Sequence, residues 1–146
     1  YCVLKDVCLD IRCSGYRISY KFEQDLGLHL PLAVLRASLD LFDRAGGMSA
    51  LRAKSERQIR YLDRRLAETL HGRVENISPQ AMEERGCQFA LRVVAGKGRD
   101  VFRALEEARV LCDWREPDVI RVAPVPLYNS FTDIDCFVQT LDEVVA

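Results

Sequence analysis

Cys112-Asp113-Trp114-Arg115-Glu116-Pro117-Asp118-Val119-Ile120-Arg121-Val122-Ala123-Pro124-Val125-Pro126-Leu127-Tyr128-Asn129-Ser130-Phe131 reads as an edge strand, a turn, a second strand bearing one arginine, and a stiff loop into a helix. Arg121 stands between Ile120 and Val122 in an otherwise apolar segment. Strand alternation puts Ile120 and Val122 on one face and Arg121 on the other. Two readings of Arg121 stay open. It is an ordinary arginine on a solvated strand face. Alternatively, if that face lines a cleft, its planar fork offers a carboxylate two parallel hydrogen bonds.

Outward from this run the pattern alternates between helical and extended. Val110–Cys112 and Val119–Ala123 are expected to be the last strands, with Asp113–Asp118 a tight connection containing Pro117. Ser130 with Asp133 forms a capping pair for a final helix whose inner face is Ile134, Phe137, Val138, Leu141 and Val145. Upstream, Cys87, Phe89, Leu91 and Val93 alternate against Gln88, Ala90 and Arg92, which predicts a half-buried strand. Asp100 is expected to cap a helix running to about Arg109, with Val101, Phe102, Leu105 and Ala108 inward. Val74–Ile77 is a short strand stopped by Ser78-Pro79. A long helix is expected from Ser49 to Leu70. Its buried face is Leu51, Ser55, Ile59, Leu62, Leu66 and Leu70. Its solvated side carries Arg52, Lys54, Arg57, Arg60, Arg64 and Arg65 against Glu56 and Asp63. His71-Gly72 ends it, with the glycine as left-handed cap. Pro31 starts another helix, with Leu32, Leu35, Leu39 and Phe42 as a buried stripe and Gly46-Gly47 as its stop. The order is helix, helix, strand, strand, helix, strand, strand, helix. It predicts an α+β fold, a small, largely antiparallel sheet covered by helices.

Composition excludes several functions. The chain has 146 residues, 49% hydrophobic and 29% charged, the make-up of an ordinary globular domain. A net charge of −1 gives no global attraction to nucleic acid or anionic membranes. The basic helix side lacks interleaved aromatics for base stacking, so no nucleic-acid partner is expected. No apolar run approaches the roughly eighteen residues of a bilayer span. The cysteines at 2, 8, 13, 87, 112 and 136 form no Cys-x-x-Cys pair, and no metal is expected. Cys87, Cys112 and Cys136 lie in apolar runs and read as small buried hydrophobes. With no signal-like start, these thiols suit a reducing cytoplasm. Gly96-Lys97-Gly98 is a turn, not a phosphate loop.

The opening run resembles the C-terminal part of kynureninase, a pyridoxal-phosphate enzyme of the aspartate-aminotransferase fold group. Gly15-Tyr16-Arg17-Ile18-Ser19, Leu35-Arg36-Ala37-Ser38-Leu39-Asp40-Leu41-Phe42, Leu51-Arg52-Ala53-Lys54-Ser55 and Glu84-Arg85-Gly86-Cys87-Gln88 are similar to the same family in the same order. The resemblance covers roughly Ser14 to Ala146. It implies a kynureninase-like C-terminal small domain over 31–146. Residues 1–30 are an unplaced or divergent segment in which only Gly15–Ser19 is family-like. After Ser19 the family continues with an asparagine and two prolines, whereas this chain has Tyr20-Lys21-Phe22 and about six extra residues before Leu35.

The resemblance implies hydrolysis of kynurenine or 3-hydroxykynurenine to an anthranilate and alanine, a step of tryptophan catabolism and NAD biosynthesis. The cofactor acts as electron sink and the protein supplies orientation and charge. The substrate-binding residues it implies are Arg121, gripping the substrate α-carboxylate, and Ser19, in the substrate pocket. Pro124, Pro126, Tyr128 and Asn129 are loop rigidity beside the site. The family's large domain has no counterpart in this sequence, and with it are missing the lysine that holds the cofactor, its ring-nitrogen aspartate and the phosphate-binding segment. No catalytic residue is therefore expected in this chain. Ser19-Tyr20-Lys21 has a superficial likeness to a cofactor-lysine segment, but in the wrong place in the family order. The chain starts at Tyr1 and is read as a fragment. It is expected to be inactive alone and to work joined to the large domain within a homodimer. The alternative is a non-catalytic small-molecule binding or interaction module that keeps Arg121 as an anion anchor.

Overall fold

The computed structural model describes the backbone of residues 9–13, 16–20, 26–94 and 96–146, and the side chains of 31–94 and 96–146. The chain divides into two compact units, Tyr1–Phe42 and Asp43–Ala146. The first contains an antiparallel hairpin of β1 (Leu9–Cys13) and β2 (Tyr16–Tyr20), and most of helix α1 (Leu26–Arg44). α1 begins five residues before Pro31, which lies inside it. A proline there removes one backbone hydrogen bond of the helix. The expected stripe on α1 is helical but not buried. Leu35 and Leu39 are 39% and 48% exposed, and Leu32 and Phe42 are half-buried. Periodicity tells which side of a helix is apolar; it does not supply the surface that covers it.

The second unit is a two-layer α+β domain. Helix α2 (Gly47–Thr69) is followed by strands β3 (Val74–Asn76) and β4 (Phe89–Val93), helix α3 (Gly98–Glu107), strands β5 (Asp113–Arg115) and β6 (Val119–Val122), and helix α4 (Phe131–Val145). A single 3-10 turn, Met82–Glu84, precedes β4. The sheet order is β3-β4-β6-β5, with every neighbouring pair antiparallel. One sheet face carries Phe89, Leu91, Val93, Ile120 and Val122, all buried against helical residues such as Ile59, Leu62, Leu105, Ile134, Val138 and Leu141. Helices α2 and α3 both pack on α4. All six residues expected on the α2 inner face are buried. Gly72, at φ 76°, takes the left-handed turn after α2.

Three local expectations need correction. The edge strand is Asp113–Arg115, not Val110–Cys112. Its middle residue Trp114 turns inward and lies against Phe102, ring centroids 5.9 Å apart, and under the Arg99 guanidinium. Its flanking residues are charged because an edge strand with one wet face tolerates charge there. Gly98 gives this ring room: a Cβ on it would stand 3.3 Å from the indole. Asp100 does not cap α3, which starts at Gly98 after Lys97 with no side-chain cap. Ala108 is exposed, because the helix stops at Glu107. The final helix has the expected capping box: Ser130 Oγ accepts from Asp133 N–H at 3.2 Å, and Ser130 N–H donates to Asp133 Oδ2 at 2.7 Å. No helix among the described residues is long and apolar enough to cross a membrane.

Candidate functional site

The outer face of the four-stranded sheet is where the alternation puts charge. The register sets Asp113, Arg121 and Ala90 in one row across β5, β6 and β4, and Arg115, Val119 and Arg92 in the next. Glu75 of β3 continues that second row. Ile120 and Val122 point into the core, and Arg121 points out, as its neighbours' burial requires. Its side chain is 30% exposed.

Arg121 is not alone on its strand face. Its Nε donates to Asp113 Oδ2 at 3.0 Å, and its Nη2 donates to the same oxygen. Arg115 Nη2 reaches that oxygen at 3.0 Å from the next residue row. The Arg121 hydrogen bond, with help from the Arg115 charge, holds the Asp113 carboxyl below the usual carboxylate range against a desolvation that opposes it. Beside this trio, Arg92 Nε donates to Asp118 Oδ2 at 2.8 Å and lies 3.8 Å from Glu75. The arrangement is a charge-balanced patch of three arginines and three carboxylates, in which the local positive surplus is at Arg121 and Arg115, which share Asp113. It can bind an anion through guanidinium donors, and each of its described carboxylates is paired with an arginine.

The segment after β6 is fixed by α2 rather than left as a free loop. Lys54 Nζ donates to the carbonyls of Pro126 (2.6 Å) and Asn129 (3.0 Å), and Gln58 Nε2 donates to Asn129 at 2.8 Å. Asn129 closes the turn from inside, its Oδ1 accepting from Val125 N–H at 2.8 Å. Tyr128 is left at the tip, 80% exposed. The rigidity expected of Pro124, Pro126 and Asn129 is therefore present, and two α2 side chains help to supply it. The helical spacing puts Lys54 and Arg52 on the solvated side, and the structure turns both inward to backbone carbonyls. Arg52 donates to the carbonyls of Arg85 and Met82. Arg85 itself is buried, pairs with Asp63 at 2.8 Å and stacks on Phe89 with its guanidinium carbon 4.6 Å from the ring centre. Sequence reasoning missed these residues because a long cationic side chain at an intermediate helix position can reach back over the domain edge.

Ser19 lies on β2, with Asp10 as its cross-strand partner. It belongs to the first compact unit and Arg121 to the second. Lys21, and with it the Ser19-Tyr20-Lys21 likeness, falls outside the described residues. The lysines of the second unit fit no imine-forming role: Lys54 is spent on two carbonyls and Lys97 is exposed in a turn. No group of three or more metal-ligating side chains occurs among the described residues. Cys136 is exposed rather than buried. Cys112 is half-buried, and burial pushes its thiol up to about 11. A cleft of about 480 Å³ opens between α4, the turn after α3 and the segment after β6, but Arg121 does not line it. Its walls are largely apolar, with Arg109 and Asp133 the charged residues among them. The directed donors are at Arg121, and the candidate site is placed there.

Comparison with known proteins agrees in one direction. A family model described as the kynureninase C-terminal domain matches residues 51–141. A kynureninase of Xanthomonas oryzae pv. oryzae (strain PXO99A) is 53% identical over 115 residues, which are 77% of this chain and 27% of that protein. A kynureninase of Myxococcus xanthus (strain DK1622) is 50% identical over 111 residues, 76% of this chain and 26% of that protein. The chain thus spans about a quarter of the length of the curated relatives it matches.

Proposed function

The chain belongs to the kynureninase family, as a C-terminal domain, and from this we propose that it forms the substrate-anchoring part of a pyridoxal-phosphate hydrolase. The complete enzyme cleaves kynurenine or 3-hydroxykynurenine to an anthranilate and alanine. Arg121 anchors the substrate α-carboxylate. The observation that carries this reading is its placement: a partly exposed guanidinium on the outer sheet face, fixed on one edge, on the strand that leads into the clamped turn. A carboxylate facing such a fork gains two charge-assisted hydrogen bonds in one plane. The family resemblance assigns Ser19 to the substrate pocket of the complete enzyme, which we read as a homodimer in the cytoplasm.

The described residues do not fit the cofactor. Neither Lys54 nor Lys97 is placed to hold an aldehyde, so the cofactor's holder has to be sought outside this domain. The 146-residue chain alone is therefore expected not to turn over kynurenine.

A chimera tests the proposal. The 115 aligned residues replace the matching segment of the Xanthomonas oryzae relative, and kynurenine cleavage is followed. Activity is expected. Arg121→Lys in that chimera should raise KM for kynurenine by about tenfold or more, since lysine keeps the charge and loses the fork. A folded, cofactor-loaded chimera whose KM ignores Arg121→Lys would remove Arg121 from the substrate.

A further inference from the structure

A guanidinium has two edges that can each receive a carboxylate: Nε with one Nη, and the pair of Nη groups. In Arg121 the first edge is filled. Nε and Nη2 both donate to Asp113 Oδ2, whereas Nη1 has no partner among the described residues. Asp113 and Arg121 are direct cross-strand partners in the β5–β6 pair, so the backbone register fixes their spacing. On the other side, the residue opposite Arg121 on β4 is Ala90, whose methyl group brings no hydrogen-bonding group to that edge. Arg115, one row along, reaches Asp113 Oδ2 as well. The trio of two arginines and one aspartate keeps a charge of +1.

We propose that Asp113 is a positioning residue: it holds Arg121 by its Nε edge so that the Nη1–Nη2 edge is presented as a fixed fork to the carboxylate of a small amino acid, while Arg115 offsets the charge Asp113 would turn on that ligand. The inference rests on the reading of Arg121 as a carboxylate anchor and adds the reason why that anchor is pre-oriented. An arginine on a strand loses much rotamer freedom when a ligand captures it; one already captured on its far edge loses less. A simple competitor would have the opposite effect, since an aspartate that must be expelled weakens binding.

The opposite signs make the test direct. In the 146-residue chain, the Arg121 Nε–H resonance is followed by NMR, alone and during titration with L-kynurenine. The wild type should show an ordered, slowly exchanging Nε–H that shifts with ligand. Asp113→Ala should average that signal and raise Kd about tenfold, and Asp113→Asn, which keeps an acceptor oxygen, should recover part of both. Arg115→Met should raise Kd severalfold yet leave the Nε–H ordered, because it removes compensating charge and not the hold. Unchanged or tighter binding in Asp113→Ala, with the shift at Arg121 retained, overturns the positioning role and leaves the anchor standing. An ordered Nε–H that no concentration of L-kynurenine moves in the 146-residue chain, together with a chimera whose KM ignores Arg121→Lys, overturns the anchor, and the fork's purpose with it.

Discussion

Arg109 occupies a position that glycine usually takes. It sits at φ 62°, just past the end of α3, with its N–H on Glu106 O and the next N–H, of Val110, on Leu105 O. That pair of bonds is a Schellman closure, which needs a left-handed residue at this point. For an L-residue the left-handed region costs roughly 1–2 kcal/mol, and glycine avoids it at an entropic cost of roughly 0.5–1 kcal/mol. Arg109→Gly should therefore stabilise the domain by about 0.5–1 kcal/mol, seen as a melting temperature a few degrees higher. No gain in Tm would mean that the arginine side chain repays the strain in some other way. The same scale shows what was legible. Arg121 could be singled out because one charge interrupts an apolar strand. Its partner Asp113 could not, because the apolar pattern favours a strand at Val110–Cys112, three residues before the observed one. Counted from the three-residue turn Glu116-Pro117-Asp118, the register pairs Asp113 with Arg121 at once. Arg85 was hidden for another reason: nothing local distinguishes a buried arginine from a solvated one until Asp63 and Phe89 are brought to it.

Among the elements, α2 does two jobs with two faces. Its apolar stripe was readable at full length, because six residues at helical spacing all meet one core. Its second job, holding the turn before α4, is carried by side chains whose spacing says nothing of a carbonyl more than seventy residues away. Lys54→Met would keep the stem and remove the donor. Two carbonyls would lose their charged partner, for a loss of about 1–3 kcal/mol. The loss should be local: amide exchange at Leu127–Asn129 should accelerate more than exchange in β4. Uniform acceleration would show that Lys54 supports the whole domain and not this turn. At the other end of the same turn, Ser130→Ala removes the acceptor of the α4 capping box and should cost about 1 kcal/mol. That box was legible, since Ser and Asp three apart before an apolar run is a purely local signal. The exposed α1 stripe is the converse: a local signal correctly read for helix and wrongly read for burial.

For the molecule as a whole, the ion pairs set a pH window. Asp113, Asp133 and Asp135 are each held below the ordinary carboxylate range: by Arg121 chiefly, by the Ser130 N–H and hydroxyl, and by the Tyr61 hydroxyl with Arg65. A depressed folded pKa means that the unfolded chain takes up protons first as pH falls. These contributions are complete above the unfolded value of about 4 and disappear as pH drops through the lower folded values. Tyr61 works at the other limit. Its hydroxyl donates to both Asp135 oxygens, at 2.8 and 2.7 Å, and this bond raises its pKa. A raised value means its contribution is complete below the unfolded value of about 10 and is lost as pH rises through the folded one. Stability should therefore be flat between about pH 5 and 8; above that the half-buried Cys112 thiol, raised to about 11, begins the alkaline fall and Tyr61 extends it. Because one hydrogen bond serves both limits, Asp135→Asn should soften the acid and alkaline limbs together, whereas Asp113→Asn should soften the acid limb alone. Melting temperature against pH for the wild type and both variants measures this. An Asp135→Asn profile whose alkaline limb coincides with the wild type would mean that Tyr61 and Asp135 titrate independently, and that the bond between α2 and α4 has no part in the alkaline fall.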